Sequence, residues 1–175
     1  FVNAFEPGDS RYDATIVEDG ESIPGIFGGA PHDFTGGSWN PPTGFMGQKY
    51  LIPDSERPVT ADCNGNLDYI FLRYADILLM HAEASMELGD NGAAESSLNL
   101  VRNRAGLGNY DANAAVISTY KETSLLGHDP LRASIYHERR VEFGLESERF
   151  YDLVRWGDAA TVFQNFDDNG QTYGK

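Results

Sequence analysis

The sequence has little cysteine, few basic residues and no long apolar run. Its 175 residues contain a single cysteine, Cys63, so the chain cannot form an internal disulfide. Thirteen lysine and arginine residues stand against 27 aspartate and glutamate residues, which gives a formal charge of −14. Affinity for phosphate groups depends on basic side chains, so this balance argues against nucleic acid and anionic lipid as partners. No apolar run approaches the roughly 18 residues that cross a bilayer.

The composition is that of a globular chain with two contrasting parts. Hydrophobic residues make up 41% of the chain and aromatic residues 12%, which is too much for a disordered polyelectrolyte. A chain of this length can bury a sizeable core, so we predict one domain over residues 1–175. Clusters of glycine and proline fill residues 1–66, which predicts a loop-rich segment with two short strands, at 14–17 and 49–52.

Apolar spacings of three, four and seven residues predict that the rest of the chain is mainly α-helical. One helix is predicted over 67–88 and stops at Gly89, and a second follows and stops at Gly106. Because the turn between them is short, residues 67–106 are expected to form an antiparallel helical hairpin. The inward face of its first helix is predicted to consist of Ile70, Tyr74, Ile77, Leu78, His81, Ala82 and Leu88.

A polar connection over residues 107–128 leads to further helices over residues 129–162. Asp129 and Pro130 are an N-cap residue followed by proline at the first helical position, which predicts a helix start. A break at Gly144 or Ser147 should separate this helix from a fourth helical segment over 146–156. The tail, residues 163–175, is polar and is predicted to be turn-like.

Charged and aromatic residues interleave along the last predicted helices. Arginine binds carboxylates with a planar fork, so such residues can form a structural network of ion pairs. The alternative is a general acid and base pair among Glu138, Glu142, Glu146 and Asp152, as in a glycosidase. Carboxylates at helical spacing are common and nothing singles out two of them, so we favour the structural network and predict no enzyme. The network is predicted to contain Arg73, Glu138, Arg139, Glu142, Arg149, Asp152, Arg155 and Trp156.

Aromatic residues in the loop-rich segment offer a different kind of site. Flat rings beside amide and carboxylate groups are typical of sugar recognition, because rings stack on the apolar faces of sugars and polar groups bind hydroxyls. The alternative, which the sequence leaves open, is that these rings hold a long loop onto the helices. The candidate ligand-binding residues are His32, Phe34, Trp39, Asn40 and Phe45.

The sequence predicts neither a metal site nor a cofactor. The segment DCNGNLD alternates oxygen-bearing side chains, as a calcium-binding loop does. However, Leu67 stands where that loop needs glycine and Arg73 stands where it needs a bidentate acid, so an EF-hand is excluded. The chain also has no P-loop, no dinucleotide-binding glycine motif, no CxxC pair and no HExxH motif.

Three blocks of residues resemble one known family. The blocks are residues 8–11 (GDSR) with 13–16 (DATI), residues 73–80 (RYADILLM) with 82–84 (AEA) and 98–107 (LNLVRNRAGL), and residues 135–157, which include ERR at 138–140 and DLVRWG at 152–157. In this order and at these distances they resemble the SusD/RagB family of outer-membrane nutrient-binding lipoproteins. Members of that family are about three times longer and carry a lipid-anchoring cysteine at the mature N-terminus. The chain therefore resembles the C-terminal portion of such a protein, excised or cleaved.

The resemblance implies a function as well as a mainly helical fold. It implies a lipoprotein on the extracellular face of the outer membrane, held there only through a lipid anchor that is absent from this chain. It also implies non-catalytic capture of a glycan or oligosaccharide for import through a SusC-type TonB-dependent transporter. The matching blocks are scaffold, and the aromatic loop lies outside them, so the resemblance assigns no binding residue.

Two alternatives to glycan capture stay open at this point. One is a helical scaffold for protein interactions without a ligand site of its own, which predicts an exposed apolar patch on the first two helices. The other, and the weaker, is a glycoside hydrolase. The sequence does not name the ligand, because stacking on aromatic rings tolerates many sugars.

Overall fold

The computed structural model describes residues 1–34, 41, 43–57 and 67–168. The chain divides into two compact units. The loop unit consists of Val2 and Ser10–Leu72, and the helical unit consists of Phe1, Asn3–Asp9 and Arg73–Lys175. The expectation of a single domain over residues 1–175 stays a prediction.

The described residues of the loop unit form a short helix and a two-stranded antiparallel sheet. Helix α1 spans Arg11–Thr15, strand β1 spans Ile16–Glu18 and strand β2 spans Phe45–Gly47. Val17 lies opposite Met46 in the register. A 3-10 turn at Phe27–Gly29 lies between the strands in the sequence.

The observed strands differ in position from the predicted ones. The residues before Ile16 belong to α1, so the first strand begins later than residue 14. The second strand ends before residue 49, and Tyr50 has a φ of 71°, a left-handed conformation that an extended strand cannot contain. The sheet is anchored by a small apolar core. It consists of Val17, Ile23, Ile26 and Phe34, with Met46 and Leu51 packed against it.

The predicted helical hairpin is present in the helical unit. Helix α2 spans Tyr74–Glu87 and helix α3 spans Asn91–Arg104. Gly89 has a φ of 82°, which suits glycine and ends α2, and the Asp90 side chain accepts a hydrogen bond of 3.0 Å from the Ala93 N–H at the start of α3. The glycine and cap signals in the sequence therefore position the turn.

The inward face of α2 differs from the predicted one. The helix begins at Tyr74 rather than at residue 67, and its buried residues are Ala75, Leu79, Ala82 and Ser85. Of the predicted face, Ile70, Tyr74, Ile77, His81 and Leu88 are exposed. Apolar residues recur at helical spacing on two sides of α2, so periodicity alone cannot select the side that packs. The alanines of the other side allow α3 and α5 to approach closely.

The remaining helices follow the connection after α3. A 3-10 turn spans Ala115–Thr119, α4 spans Lys121–Ser124, α5 spans Pro130–Glu142, α6 spans Arg149–Trp156 and α7 spans Ala159–Asp168. The Asp129 side chain accepts hydrogen bonds from the N–H groups of Leu131 and Arg132, as expected of an N-cap. The predicted break lies between α5 and α6, where Leu145 and Ser147 have positive φ angles of 68° and 71°.

The tail begins with a helix and not with turns. Residues up to Asp168 belong to α7, and the ring of Phe163 lies 6.2 Å from that of Phe150 on α6. This contact supports a helical continuation that polar composition alone does not reveal. The rest of the predicted tail, residues 169–175, lies outside the described residues.

The apolar core of the helical unit lies where α2, α3 and α5 meet. It consists of Ala75, Leu79, Ala82, Ala94, Leu98, Val101, Leu131, Ile135, Tyr136 and Phe143. Among the described residues, no helix is both long and apolar enough to span a membrane.

Candidate functional site

Charged side chains are buried at the centre of the helical unit. Buried charges need partners, because removing an ion from water is costly unless an opposite charge and hydrogen bonds compensate it. The buried members include Arg102, Glu122, Glu138, Arg139, Glu142 and Asp152. Their partners define four clusters, each of which joins elements far apart in the sequence.

The first cluster surrounds Glu142 at the end of α5. Its carboxylate pairs with Arg73, just before α2, and with Arg104 at the end of α3. Arg73 Nη2 also donates to the Glu142 carbonyl at 2.7 Å, and Arg73 binds the Glu146 carboxylate through two hydrogen bonds of 3.0 Å. The Arg73 guanidinium lies over the Phe143 ring, 4.4 Å from its centroid. Three helix ends are thus held together by one buried carboxylate.

The second cluster joins α2, α5 and α6 through Asp152. Arg139 Nε donates to Asp152 at 2.9 Å, and its Nη1 donates to Asp76 at 2.8 Å. Asp152 also accepts a hydrogen bond of 3.0 Å from Arg155 Nε, and Arg155 in turn pairs with Glu83 on α2. Arginine forks therefore bridge carboxylates on different helices.

Trp156 extends the second cluster with an aromatic contact. Its Nε1–H donates to Glu83 at 2.8 Å, and its ring stacks on that of Tyr136 with centroids 3.5 Å apart and planes 8° apart. The indole is half-buried, and its polar edge is satisfied. Trp156 is thus part of the packing between α2, α5 and α6.

The third cluster ties the N-terminal segment of the helical unit to α3 and α5. Arg102 Nη1 lies 2.7 Å from Glu6 and 3.4 Å from Glu138, and the Tyr120 hydroxyl donates to Glu6 at 2.6 Å. Burial raises the pKa of Glu6, but the hydrogen bonds from Arg102 and Tyr120 outweigh burial, so the pKa is lowered overall. Burial and the same hydrogen bond raise the pKa of Tyr120.

The fourth cluster surrounds Glu122, which is fully buried in α4. Its carboxylate lies 3.3 Å from His137 Nδ1, 2.9 Å from Arg149 Nη2 and 3.7 Å from Arg140 Nη1. The His137 ring stacks on Tyr120 with centroids 3.6 Å apart. Burial raises the pKa of Glu122, but the hydrogen bond and charge of His137 and the two arginines outweigh burial and lower it to about 2.

Sequence reasoning missed the buried position of Glu122. It lies in the connection between α3 and α5, in the polar segment KETS, where no apolar period marks an inward face. Its partners are 15 and 27 residues away for His137 and Arg149, so no local spacing reveals them. Only the packing of α4 on α5 brings the charges together.

The four carboxylates considered as an acid and base pair do not form an open site. Glu138, Glu142 and Asp152 are at most 3% exposed, and each contacts at least one arginine. Glu146 is bound by the fork of Arg73. A catalytic carboxyl must reach the proton that it transfers, so buried acids cross-linked to arginine fit a structural role.

The candidate ligand-binding residues lie in the loop unit, partly outside the described residues. Phe34 is 4% exposed within the small apolar core, and its N–H donates to Asp19 Oδ1 at 2.7 Å. The half-buried His32 lies beside it, with ring centroids 5.7 Å apart, and Phe45 is half-buried in β2. The structure thus brings His32 and Phe34 together, with Phe34 as an anchor of the loop.

Trp39 and Asn40 lie outside the described residues, as do three of the oxygen-bearing residues of the DCNGNLD segment. The assignment of ligand contact to the five loop residues therefore stays a prediction. Over the described part of the chain, no cluster of three or more histidine, cysteine, aspartate or glutamate side chains is placed to hold a metal ion.

Comparison with known proteins agrees with this architecture. The family model for the SusD family matches residues 1–175. SusD-like protein P25 of Formosa agariphila is 37% identical over 100 residues, which cover 56% of this chain and 17% of that protein. A SusD-like protein of Bacteroides ovatus is 35% identical over 98 residues, covering 53% of this chain and 14% of that protein. The chain thus matches less than one fifth of the length of these curated relatives.

Solved structures show the same similarity. A SusD-like protein of Bacteroides fragilis matches with a TM-score of 0.61 and 30% identity, covering 84% of this chain and 27% of that one. A SusD superfamily protein of Bacteroides vulgatus matches with a TM-score of 0.62 and 27% identity, covering 89% of this chain and 31% of that one.

The fold and these matches define a mainly α-helical, SusD-like protein. Because the family model covers its whole length, the chain belongs to the SusD family. The resemblance of the three sequence blocks to this family and the mainly helical fold class are therefore confirmed.

Proposed function

We propose that the protein captures a glycan or its oligosaccharides for import and does not change them chemically. The family match over residues 1–175 is the observation that carries this proposal. The burial of Glu138, Glu142 and Asp152 supports a role without catalysis, since these acids serve as cross-links between helices.

The proposal includes a partner and a location. The partner is a SusC-type TonB-dependent transporter, to which the captured oligosaccharide is released. The location is the extracellular face of the outer membrane. Membership of the SusD family supports both parts of the proposal, and neither depends on a particular residue of this chain.

Within the chain, we assign ligand contact to the loop unit. The candidates are His32, Phe34, Trp39, Asn40 and Phe45. Because Phe34 is packed in the apolar core, its part is to hold the loop in place, and the stacking surface is assigned first to Trp39.

Affinity gel electrophoresis with a panel of soluble polysaccharides tests the proposal. A polysaccharide that retards the 175-residue chain should retard Trp39→Ala less, with a dissociation constant about tenfold higher because one stacking contact of about 1.4 kcal/mol is lost. Phe150→Ala is the matched control, since Phe150 is an exposed aromatic residue of α6, outside the loop unit. It should bind as the unaltered chain does.

Chromatography of the same mixtures tests for catalysis. We expect the polysaccharide to keep its chain length after prolonged incubation. Release of shorter sugars by the purified chain, abolished by Glu142→Gln or Asp152→Asn, would favour the glycoside hydrolase instead.

In the affinity-gel experiment, equal retardation of the Trp39→Ala variant and the unaltered chain would contradict the assignment of ligand contact to Trp39.

One observation favours the second candidate function, a helical scaffold for protein interactions. Large apolar residues of the hairpin are exposed, among them Tyr74, Ile77 and Leu88 of the first helix and its end, and Leu100 of the second helix. A scaffold of this kind would show no retardation by any polysaccharide and would bind a protein through this surface. The two functions are compatible, because docking on a transporter is itself a protein interaction.

A further inference from the structure

The chain enters the loop unit through a short N-terminal segment, most of which belongs to the helical unit. Residues 1–9 contain a 3-10 turn at Val2–Ala4 and a second turn, in which the Asp9 N–H donates to the Glu6 carbonyl at 3.1 Å. These nine residues form neither an α-helix nor a strand. We call residues 1–9 the N-terminal strap. Its position depends on the contacts of its side chains.

Glu6 anchors the N-terminal strap through its carboxylate. Arg102 of α3 binds both carboxylate oxygens, at 2.7 Å and 3.3 Å, and the Tyr120 hydroxyl donates to one of them at 2.6 Å. The side chains of Glu6 and Arg102 are only 12% and 8% exposed. A bidentate, charge-assisted pair in such a position is a strong contact. The same hydrogen bonds lower the pKa of Glu6 despite its burial, so the carboxylate is ionised at neutral pH.

The helical unit has its own ion pair at this position, which does not need Glu6. Arg102 Nη1 also lies 3.4 Å from Glu138 of α5, and Arg102 Nε donates to the Gly108 carbonyl at 3.1 Å. Arg102 therefore keeps an acidic partner when Glu6 is removed. A change of Glu6 thus releases the N-terminal strap and leaves the ion pair between α3 and α5 in place.

The N-terminal strap leads directly into the first elements of the loop unit. Helix α1 begins at Arg11, close behind the strap, and β1 begins at Ile16, immediately after the last residue of α1. Beyond β1, the Gly20 N–H donates to the His32 carbonyl at 2.6 Å. Disorder that begins in the strap would therefore pass through α1 to the strand and to the residues that pair beyond it.

The loop unit has limited means of holding itself in order. Over its described residues, its two strands are three residues long, and its apolar core consists of Val17, Ile23, Ile26 and Phe34. A two-stranded sheet is marginally stable at best in water. The far end of the unit is fixed, because α2 follows it and packs in the helical core through Ala75. Holding the near end as well closes the segment into a loop, which lowers the entropy of its unfolded state and so stabilises its folded one.

We propose that Glu6 controls the folding of the loop unit from a site in the helical unit. While Glu6 is bound to Arg102 and Tyr120, the N-terminal strap closes the loop unit at both ends. When the strap is released, the loop unit unfolds and the helical unit stays folded, as a local opening of part of a protein. This inference does not depend on glycan capture, since it concerns the loop unit without a ligand.

Hydrogen exchange of the 175-residue chain at neutral pH, followed residue by residue by NMR, tests the proposal. Glu6→Ala should accelerate the exchange of the Gly20 and His32 amides at least about tenfold, because charge-assisted hydrogen bonds that close the loop unit are lost. The entropy of closing a loop of about 60 residues limits the acceleration to about 500-fold. Unchanged exchange of these two amides would show that the loop unit is ordered without its anchor and would overturn the proposal.

Ile135→Val tests whether the helical unit stays folded while the loop unit opens. Ile135 is fully buried in the core of α5, so the variant should accelerate exchange of the Leu98 amide in α3 by about fivefold. The Gly20 and His32 amides should exchange as in the unaltered chain, because the contacts of Ile135 are still present when only the loop unit is open. Equal acceleration of all three amides would overturn the proposal, since the loop unit would then open only with the whole molecule.

Two further variants test whether the effect belongs to the Glu6 carboxylate. Asn3→Ala is the matched control, since Asn3 is an exposed residue of the same strap, and it should leave exchange unchanged. Tyr120→Phe removes one hydrogen bond to Glu6 and keeps the ring, so it should accelerate the Gly20 and His32 amides less than Glu6→Ala does. Tyr120→Phe decides the question if Glu6→Ala does not fold. Acceleration by Asn3→Ala equal to that of the other variants, or none by Tyr120→Phe, would contradict the role of Glu6.

Discussion

Three basic side chains converge on the carboxylate of Glu122. It is fully buried, and His137, Arg140 and Arg149 all approach its carboxylate. Two of these partners come from α5 or its end and one from α6. A single side chain in a four-residue helix therefore fixes the connection onto the last helices.

Removing the charge of Glu122 should be strongly destabilising. We expect Glu122→Gln to lower the free energy of unfolding by about 3–5 kcal/mol, because the buried His137 and the half-buried Arg140 and Arg149 lose a buried compensating charge. Urea denaturation followed by circular dichroism measures this loss. Glu87→Gln is the control, since Glu87 pairs with Arg132 at an exposed site and should cost less than about 1 kcal/mol. A loss of similar size in both variants would contradict the role given to burial.

The contribution of Glu122 should also depend on pH in a defined direction. Its pKa is lowered on folding from an ordinary 4.5 to about 2, so its stabilising effect is complete above pH 4.5 and is lost as the pH falls towards 2. The gap in unfolding free energy between the unaltered chain and Glu122→Gln should shrink by about 1 kcal/mol between about pH 6 and about pH 3.5. A difference in unfolding free energy that stays constant with pH would show that these partners do not lower the pKa of Glu122.

Individual residues were predictable from sequence where their role was local. The cap of Asp129 and the stops at Gly89 and Gly106 follow from their position beside a helical pattern. The partners of Glu122 and of Arg102 do not, because residues distant in sequence supply them. Residue types in the last helices indicated ion pairs, but the identity of each pair depends on packing.

The helices show the same division between local and tertiary information. Glycine, proline and acidic caps fix where α3 and α5 begin and where α2 ends. The choice of the packed side of α2 was not predictable, because two sides of that helix carry apolar residues. Packing against α3 and α5 selected the side with the smaller residues.

The left-handed glycine at the end of α6, Gly157, allows a test of how much backbone conformation contributes to a helix end. Gly157 is the C-cap of α6 with a φ of 80°, where an added side chain is strained. We expect Gly157→Ala to lower the unfolding free energy by about 1 kcal/mol, as measured by urea denaturation. Gly108→Ala is matched to it, since Gly108 does not have a positive φ and its added Cβ would meet nothing within 4 Å. Equal unfolding free energies for the two variants would contradict a stabilising role for glycine in the left-handed cap.

The molecule as a whole combines a loop unit with a helical unit. The change in composition near residue 69 indicated this contrast, and the boundary between the units falls after Leu72. The two short strands were expected, but their exact positions and their pairing were not, because each strand is only three residues long and the two lie far apart in the sequence. The candidate ligand residues could be proposed from their chemistry, but their arrangement depends on loop geometry that no periodicity encodes.

We propose that the two units have different roles. Buried ion pairs stabilise the packing of the helical unit, and aromatic side chains of the loop unit bind the ligand. This proposal is tested most directly by measuring glycan retention and stability together for Glu142→Gln. We predict an unfolding free energy lower by about 3 kcal/mol with unchanged retention of the folded variant on the affinity gel, in contrast to Trp39→Ala. Loss of retention by Glu142→Gln with its stability intact would contradict the account.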